Sequence, residues 1–108
     1  MKCAMISQPC RGKTEQEITA TRERATAVLE AKGYTVLNTL HTDEWSCTAL
    51  EQAADVQNKA LYFLAVKSLT VMAVCEAVYF CKGWENARGC KIEHDAASAY
   101  GLTIIYEE

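Results

Sequence analysis

Apolar residues along this chain alternate between short unbroken runs and wider spacings of three and four, the pattern of strands exchanging with helices. Met1 to Ser7 is a short apolar run and predicts a buried strand. The polar loop Gln8-Pro9-Cys10-Arg11-Gly12-Lys13 follows it. Thr14-Glu15-Gln16-Glu17 then fits a capping box, with Thr14 as N-cap and Glu17 three residues on. The helix it opens places Ile18, Ala25, Val28 and Leu29 on one face and Arg22, Glu23, Arg24 and Glu30 mostly outward. Gly33 supplies its stop. A polar loop running into a helix N-terminus is a place suited to anionic groups.

Tyr34-Thr35-Val36-Leu37-Asn38, rich in β-branched and aromatic residues, predicts the second strand. From Thr39 to about Asn58 the pattern is weak. His41, Asp43, Glu44 and Trp45 read as a loop, and Thr48 to Val56 as a short helix. Leu61, Leu64, Ala65, Ser68, Leu69 and Met72 recur at intervals of three and four, predicting a helix over about 58–74. Ser68 shares the leucines' face, where periodicity favours a hydroxyl bonding back to its own helix. Glu76 to Cys81 is the third strand and Leu102 to Tyr106 the last, with a small-residue helix from 89 to 100 between them, ended by Gly101. The order β-α-β-α-β-α-β, with room for one extra short element, implies an α/β domain over residues 1–108. Its sheet of four or five strands is mostly parallel, with helices on both faces.

In such sheets ligands bind beyond the carboxyl ends of the strands, at the switch point. The loops after the first and third strands both open there, and they carry the unusual residues. On a helix at about 100° per residue, Gly89, Ile92, Ala96 and Tyr100 form one stripe, with Lys91, His94, Asp95 and Ser98 opposite. Glu93 falls near the middle of the apolar stripe. A carboxylate there is desolvated or serves a pocket, since burying it unpaired is costly; the alternative is a surface glutamate on a helix of different phase.

Composition narrows the function. Half of the 108 residues are apolar and one is proline, which argues against a disordered chain. A net charge of −3 and no Lys/Arg block disfavour nucleic-acid partners. No apolar stretch approaches the roughly 20 residues of a membrane span, and no signal peptide precedes the first strand, so a soluble cytoplasmic protein is expected. The six cysteines include no C-x-x-C pair and read as reduced, mostly buried thiols. His41 and His94 are too isolated to suggest a metal site.

Ile6-Ser7-Gln8-Pro9-x-x-Gly12-Lys13, with Gly83-Trp84-Glu85-x-Ala87-Arg88-Gly89-x-x-x-Glu93 later, resembles the nucleoside 2-deoxyribosyltransferase-like superfamily. That group includes the 2′-deoxynucleoside 5′-phosphate N-hydrolases and, most similar to this chain, short uncharacterised phage and bacterial proteins. The resemblance spans nearly the whole chain, the middle third only in outline. It implies a doubly wound fold of the Rossmann-like or flavodoxin-like kind and a homo-oligomer whose sites are shared between subunits. It assigns Glu93 to the nucleophile that attacks the anomeric carbon of a nucleoside or nucleotide, by the double displacement of retaining glycosidases. Ser7, Gln8, Pro9, Arg11 and Gly12, with the helix amides near Thr14, would hold ribose or phosphate. Gly89 would admit the sugar or phosphate, and Arg88 would pair with a phosphate or orient Glu93. Trp84 is assigned to the ligand, while Trp45 is open between packing and a subunit contact. No metal and no cofactor are implied.

The chain departs from the superfamily pattern in places. Ser68 and Glu76 stand where aspartates are usual, Ala87 where a serine is common, and Ala4 or Met5 where the first strand carries an aromatic. General acid–base assistance is worth about 10²–10⁴-fold, so a lost acid weakens the expectation of an enzyme. Glu93 and Gly89 favour an N-glycosidase or deoxyribosyltransferase. Ser68 and Ala87 favour a non-catalytic binder that sequesters a nucleotide or ADP-ribose-like signal of a phage's host. An assembly module with a vestigial site is the third reading.

Overall fold

Local chemistry at Thr14 starts the first crossover. In the computed structural model, which describes residues 2–37 and 57–108, the Thr14 hydroxyl accepts from the Glu17 amide at 3.1 Å. The Glu17 carboxylate accepts in turn from the Thr14 amide at 3.0 Å. Two donors left over at the helix start are thereby satisfied reciprocally, and helix α1 (Glu15–Ala31) follows. Gly33, at φ 91°, turns the chain in a left-handed conformation that a side chain would strain.

Strands β1 (Cys3–Ser7), β2 (Thr35–Leu37), β3 (Ala77–Phe80) and β4 (Thr103–Tyr106) form one sheet in the order β2-β1-β3-β4. All three pairings are parallel, with Ser7 opposite Phe80 and Phe80 opposite Tyr106. The chain steps one way from β1 to β2 and the other way thereafter. Right-handed crossovers therefore place α1 on one face and the later helices on the other. This is the doubly wound α/β arrangement, with its switch point between β1 and β3.

The two faces have separate cores, built by the alternation of side chains along each strand. Ala4, Ile6, Ala77 and Tyr79 meet Ala25 and Leu29 of α1. Met5, Val78 and Phe80 meet Met72 and Ala97 on the opposite face. Ile6, Leu29, Val78 and Phe80 are fully buried, each stabilising the fold by about 1.5–3 kcal/mol.

The helix expected over 58–74 is three consecutive pieces: α2 (Lys59–Phe63), a π turn (Leu64–Ser68) and α3 (Leu69–Met72). Asn58 caps it, its side chain accepting from the Leu61 amide at 2.9 Å. The wider π turn lines up Leu64, Ser68 and Met72, four residues apart, as the buried edge. Leu61, expected inside, is instead 57% exposed.

Helix α4 (Arg88–Ala99) is rotated from its expected phase. Its buried residues are Cys90, Glu93 and Ala97, whereas Ile92 and Tyr100 are exposed. The cause is tertiary: Ala97 docks on the face made by Met5, Val78 and Phe80. Arg22, expected outward, is half-buried against Gln8. Cys75, Cys81 and Cys90 are buried thiols, while Cys10 is exposed and Cys3 intermediate. Asn38, the loop and short helix expected within 39–56, Trp45, His41 and Cys47 lie outside the described residues. No helix among the described residues is long and apolar enough to cross a membrane.

Candidate functional site

The carboxyl ends of β1 and β3 lie side by side, so their outgoing loops meet. A side-chain carbon built on Gly83 would stand 3.7 Å from Pro9 Cγ, in ordinary contact. After Gly83 the chain makes a short 3-10 turn (Trp84–Asn86) and enters α4. Strand alternation then sorts the last residues of β1. Ser7 follows Met5 onto the α4 face, and Gln8 turns to the α1 face.

On the α4 face Ser7 Oγ donates to Glu93 Oε1 at 2.7 Å. Ser7, Ser68 and Glu93 are the buried polar residues of the described chain, with Glu93 7% exposed. Burial pushes the Glu93 carboxyl above its ordinary value, while hydrogen bonding from Ser7 and then Ser68 opposes the shift. No cation figures among the groups that set its protonation. Burial pushes the Cys90 thiol up to about 11, with Ser7 opposing the rise. Ser68 does bond outside its own helix, at the end of the π turn; such turns recur at functional sites.

On the α1 face Gln8 Nε2 donates to the Ile18 carbonyl at 2.7 Å, and Arg22 Nη1 donates to Gln8 Oε1 at 3.4 Å. The Cys10 thiol is within electrostatic reach of both sides. Partial burial raises its thiol, with Arg22 pulling it down and Glu93 pushing it up.

The remaining expected residues separate. Arg11, Gly12 and Arg88 are exposed, Pro9 and Gly89 partly buried. Trp84 is engaged in an aromatic cluster: its ring stacks on His94 at 4.0 Å between centroids and lies 5.5 Å from Phe80 and 5.9 Å from Tyr106. His94, expected on the outer side of α4, is drawn into this cluster, with Nε2 2.7 Å from the Tyr106 hydroxyl. A cavity of about 490 Å³ opens beside it, lined by Phe80, Lys82, Trp84, Tyr106 and Glu107 among others, and touched by neither Glu93 nor Ser7. The cavity and the buried carboxyl are neighbours, not one pocket. Sequence reasoning missed Arg22, Cys90 and His94. The register pairing of Phe80 with Tyr106 would have indicated the last. Among the described residues no group of three or more His, Cys, Asp or Glu is arranged to hold a metal.

A model of the family described as a domain of unknown function, DUF4406, matches residues 3–106. The chain belongs to this family. For this DUF4406 domain no curated protein and no solved structure matches. The match covers both loops of the candidate site and their intervening elements, and it carries no statement of activity or ligand.

Proposed function

We propose that the crevice between β1 and β3 binds a nucleoside or nucleotide and that Glu93 is the nucleophile of an N-glycosidase or deoxyribosyltransferase. One observation carries the reading: a carboxyl 7% exposed at the switch point, held by a 2.7 Å hydrogen bond from Ser7. Loop motifs resembling the nucleoside 2-deoxyribosyltransferase-like proteins supply the substrate class. In the reaction the Glu93 carboxylate attacks the anomeric carbon, and the bond to the base breaks with its electron pair leaving on the base. The glycosyl ester then yields to water or to a second base, and Glu93 is regenerated. Ser7 and Ser68 favour the ionised form that must attack, and they fix the direction of the carboxylate. The reading expects a homo-oligomer in the cytoplasm, its crevice completed by a neighbouring copy. A strictly monomeric mass in light scattering at micromolar concentration counts against that completion.

A non-catalytic binder is the second reading, favoured by Ser68. Retaining glycosidases pair two carboxyl groups about 5–5.5 Å apart, and beside Glu93 the π turn offers a hydroxyl instead. Incubation with 2′-deoxynucleosides and their 5′-monophosphates separates the two. Release of free base, abolished in Glu93→Gln, supports the enzyme. Absence of release from every substrate, with a nucleotide retained on the purified protein in mass spectrometry, supports the binder.

A further inference from the structure

The cavity of about 490 Å³ beside the aromatic cluster has no part in the chemistry proposed for Glu93. Its volume is that of a small-molecule site, about 300–1,000 Å³. One wall is aromatic. Trp84 and Tyr106 both line it, with ring centroids 5.9 Å apart. Phe80, itself buried, packs 5.5 Å from the first ring and 6.3 Å from the second. His94 stacks on Trp84 at 4.0 Å and lies 2.7 Å from the Tyr106 hydroxyl, yet does not line the cavity. One indole face and the Tyr106 hydroxyl are thus engaged by His94, and chiefly ring surface is left for the cavity.

The rim is acidic. Glu107 Oε1 accepts from the Lys82 amide at 2.8 Å, while the Glu107 amide donates to the Phe80 carbonyl at 2.9 Å. These bonds hold the carboxylate at the cavity, and its second oxygen remains to accept. Glu85, exposed on the 3-10 turn, adds another carboxylate. The lining therefore carries two carboxylates against one ammonium, that of Lys82.

We propose that this cavity is a second site and binds a small organic cation, an alkylated ammonium of the choline kind. It goes beyond the nucleoside reading of the Glu93 crevice and stands without it. Aromatic rings attract a cation through their quadrupole, tryptophan most strongly, and quaternary ammonium groups are the ligands that such surfaces recognise. The two carboxylates repel an anion. A purely apolar ligand would strip water from Glu107 and offer it no partner in return. A metal ion finds no ligand set, since among the described residues no group of three or more His, Cys, Asp or Glu could hold one. Lys82 is exposed on a long flexible stem, so its ammonium can swing away from an incoming cation.

Ligand-observed NMR and calorimetry on the full chain test this with choline and its neutral isostere, in which a tert-butyl group replaces the trimethylammonium. Choline should bind at least about 5-fold tighter than the isostere, with its N-methyl protons shifted upfield by the rings. Glu85→Gln combined with Glu107→Gln keeps the shape of the rim and the acceptor for the Lys82 amide. This double variant should weaken choline several-fold and leave the isostere unchanged. Trp84→Leu should reduce choline binding further; should it fail to fold, the glutamine pair carries the test. Equal affinity for choline and isostere makes the cavity a plain apolar recess and overturns the proposal. Choline binding unmoved by the glutamine pair, or absent at millimolar concentration, overturns it too. Glu93→Gln must leave choline affinity unchanged, because Glu93 does not touch the cavity. A loss there would put choline in the crevice and end the claim of a second site.

Discussion

Two corners of the same sheet end are built on opposite terms. At the first, Ser7, Ser68 and Glu93 enclose polar atoms with little room, and burial lifts the carboxyl against two hydroxyls. At the second, Phe80, Trp84, His94 and Tyr106 stack in a cluster beside a cavity of about 490 Å³. Size alone would place the site at the second corner. A buried carboxyl raised above its ordinary value and held by a hydrogen bond from Ser7 favours the first as the proposed site. The cluster's rings already satisfy one another, His94 lying on Trp84 and bonded to the Tyr106 hydroxyl. His94 belongs to α4 and Trp84 to the turn leading into it, so the cluster ties that helix to Phe80 and Tyr106 of the sheet.

The sharpest test of this division is Glu93→Gln. The amide keeps the shape and the acceptor for Ser7, and removes the proposed nucleophile. Base release should fall by more than about 10³-fold with the fold intact by circular dichroism. Retained turnover would move the chemistry elsewhere, the aromatic corner first.

Phe80→Ala attacks the other corner. The ring is fully buried and contacts Trp84, His94 and Tyr106, so its loss should cost about 3–5 kcal/mol in denaturant unfolding. In protein still folded, affinity for the crevice ligand should weaken only as far as α4 shifts. A stability change under about 1 kcal/mol would show that the cluster does not hold α4.

The contrast also explains what could be read in the chain. The α1 capping box and the strands were legible because their determinants are local: Thr14 with Glu17, and β-branched runs. Helix α4 was harder. Gly89-Ile92-Ala96-Tyr100 and Cys90-Glu93-Ala97 are both acceptable inner stripes, and the second wins only through docking on Met5, Val78 and Phe80. Either phase puts Glu93 near the inner face, which is why the carboxylate stood out while its neighbours were misassigned. Periodicity also suggested that Ser68 faces inward, but a π turn has no signature in side-chain spacing. Arg22 looked like one more charge on a solvated face, since its burial depends on Gln8 coming over from β1.

Ser7→Ala should have an intermediate effect. It removes the 2.7 Å bond to Glu93 and leaves burial less opposed, so the carboxyl rises further above its ordinary value. Losing a bond to a charged group is worth about 1.5–3 kcal/mol, or roughly a 10- to 100-fold fall in base release at neutral pH. The rising limb of the pH–rate profile should move to higher pH. A smaller rate with an unmoved limb would mean that Ser7 orients the sugar and does not tune Glu93.

The smallest effect separates the corners by pH alone. The folded value of Glu93 lies above its ordinary 4.5, so in the window between the two the native state binds more protons than the unfolded chain. The slope of unfolding free energy with pH is then negative. The stabilisation is complete below 4.5 and is lost as pH rises through the raised value. Glu93→Gln removes that contribution, so the stability of wild type relative to this variant should fall on going from pH 4.5 upward, followed by urea unfolding at each pH. Parallel curves for the two proteins would show that Glu93 titrates normally and is not desolvated. In the proposed reaction activity must run the other way, because only an ionised Glu93 would attack the anomeric carbon. The same proton would then stabilise the fold at low pH and block the proposed reaction there, a conflict confined to the polar corner.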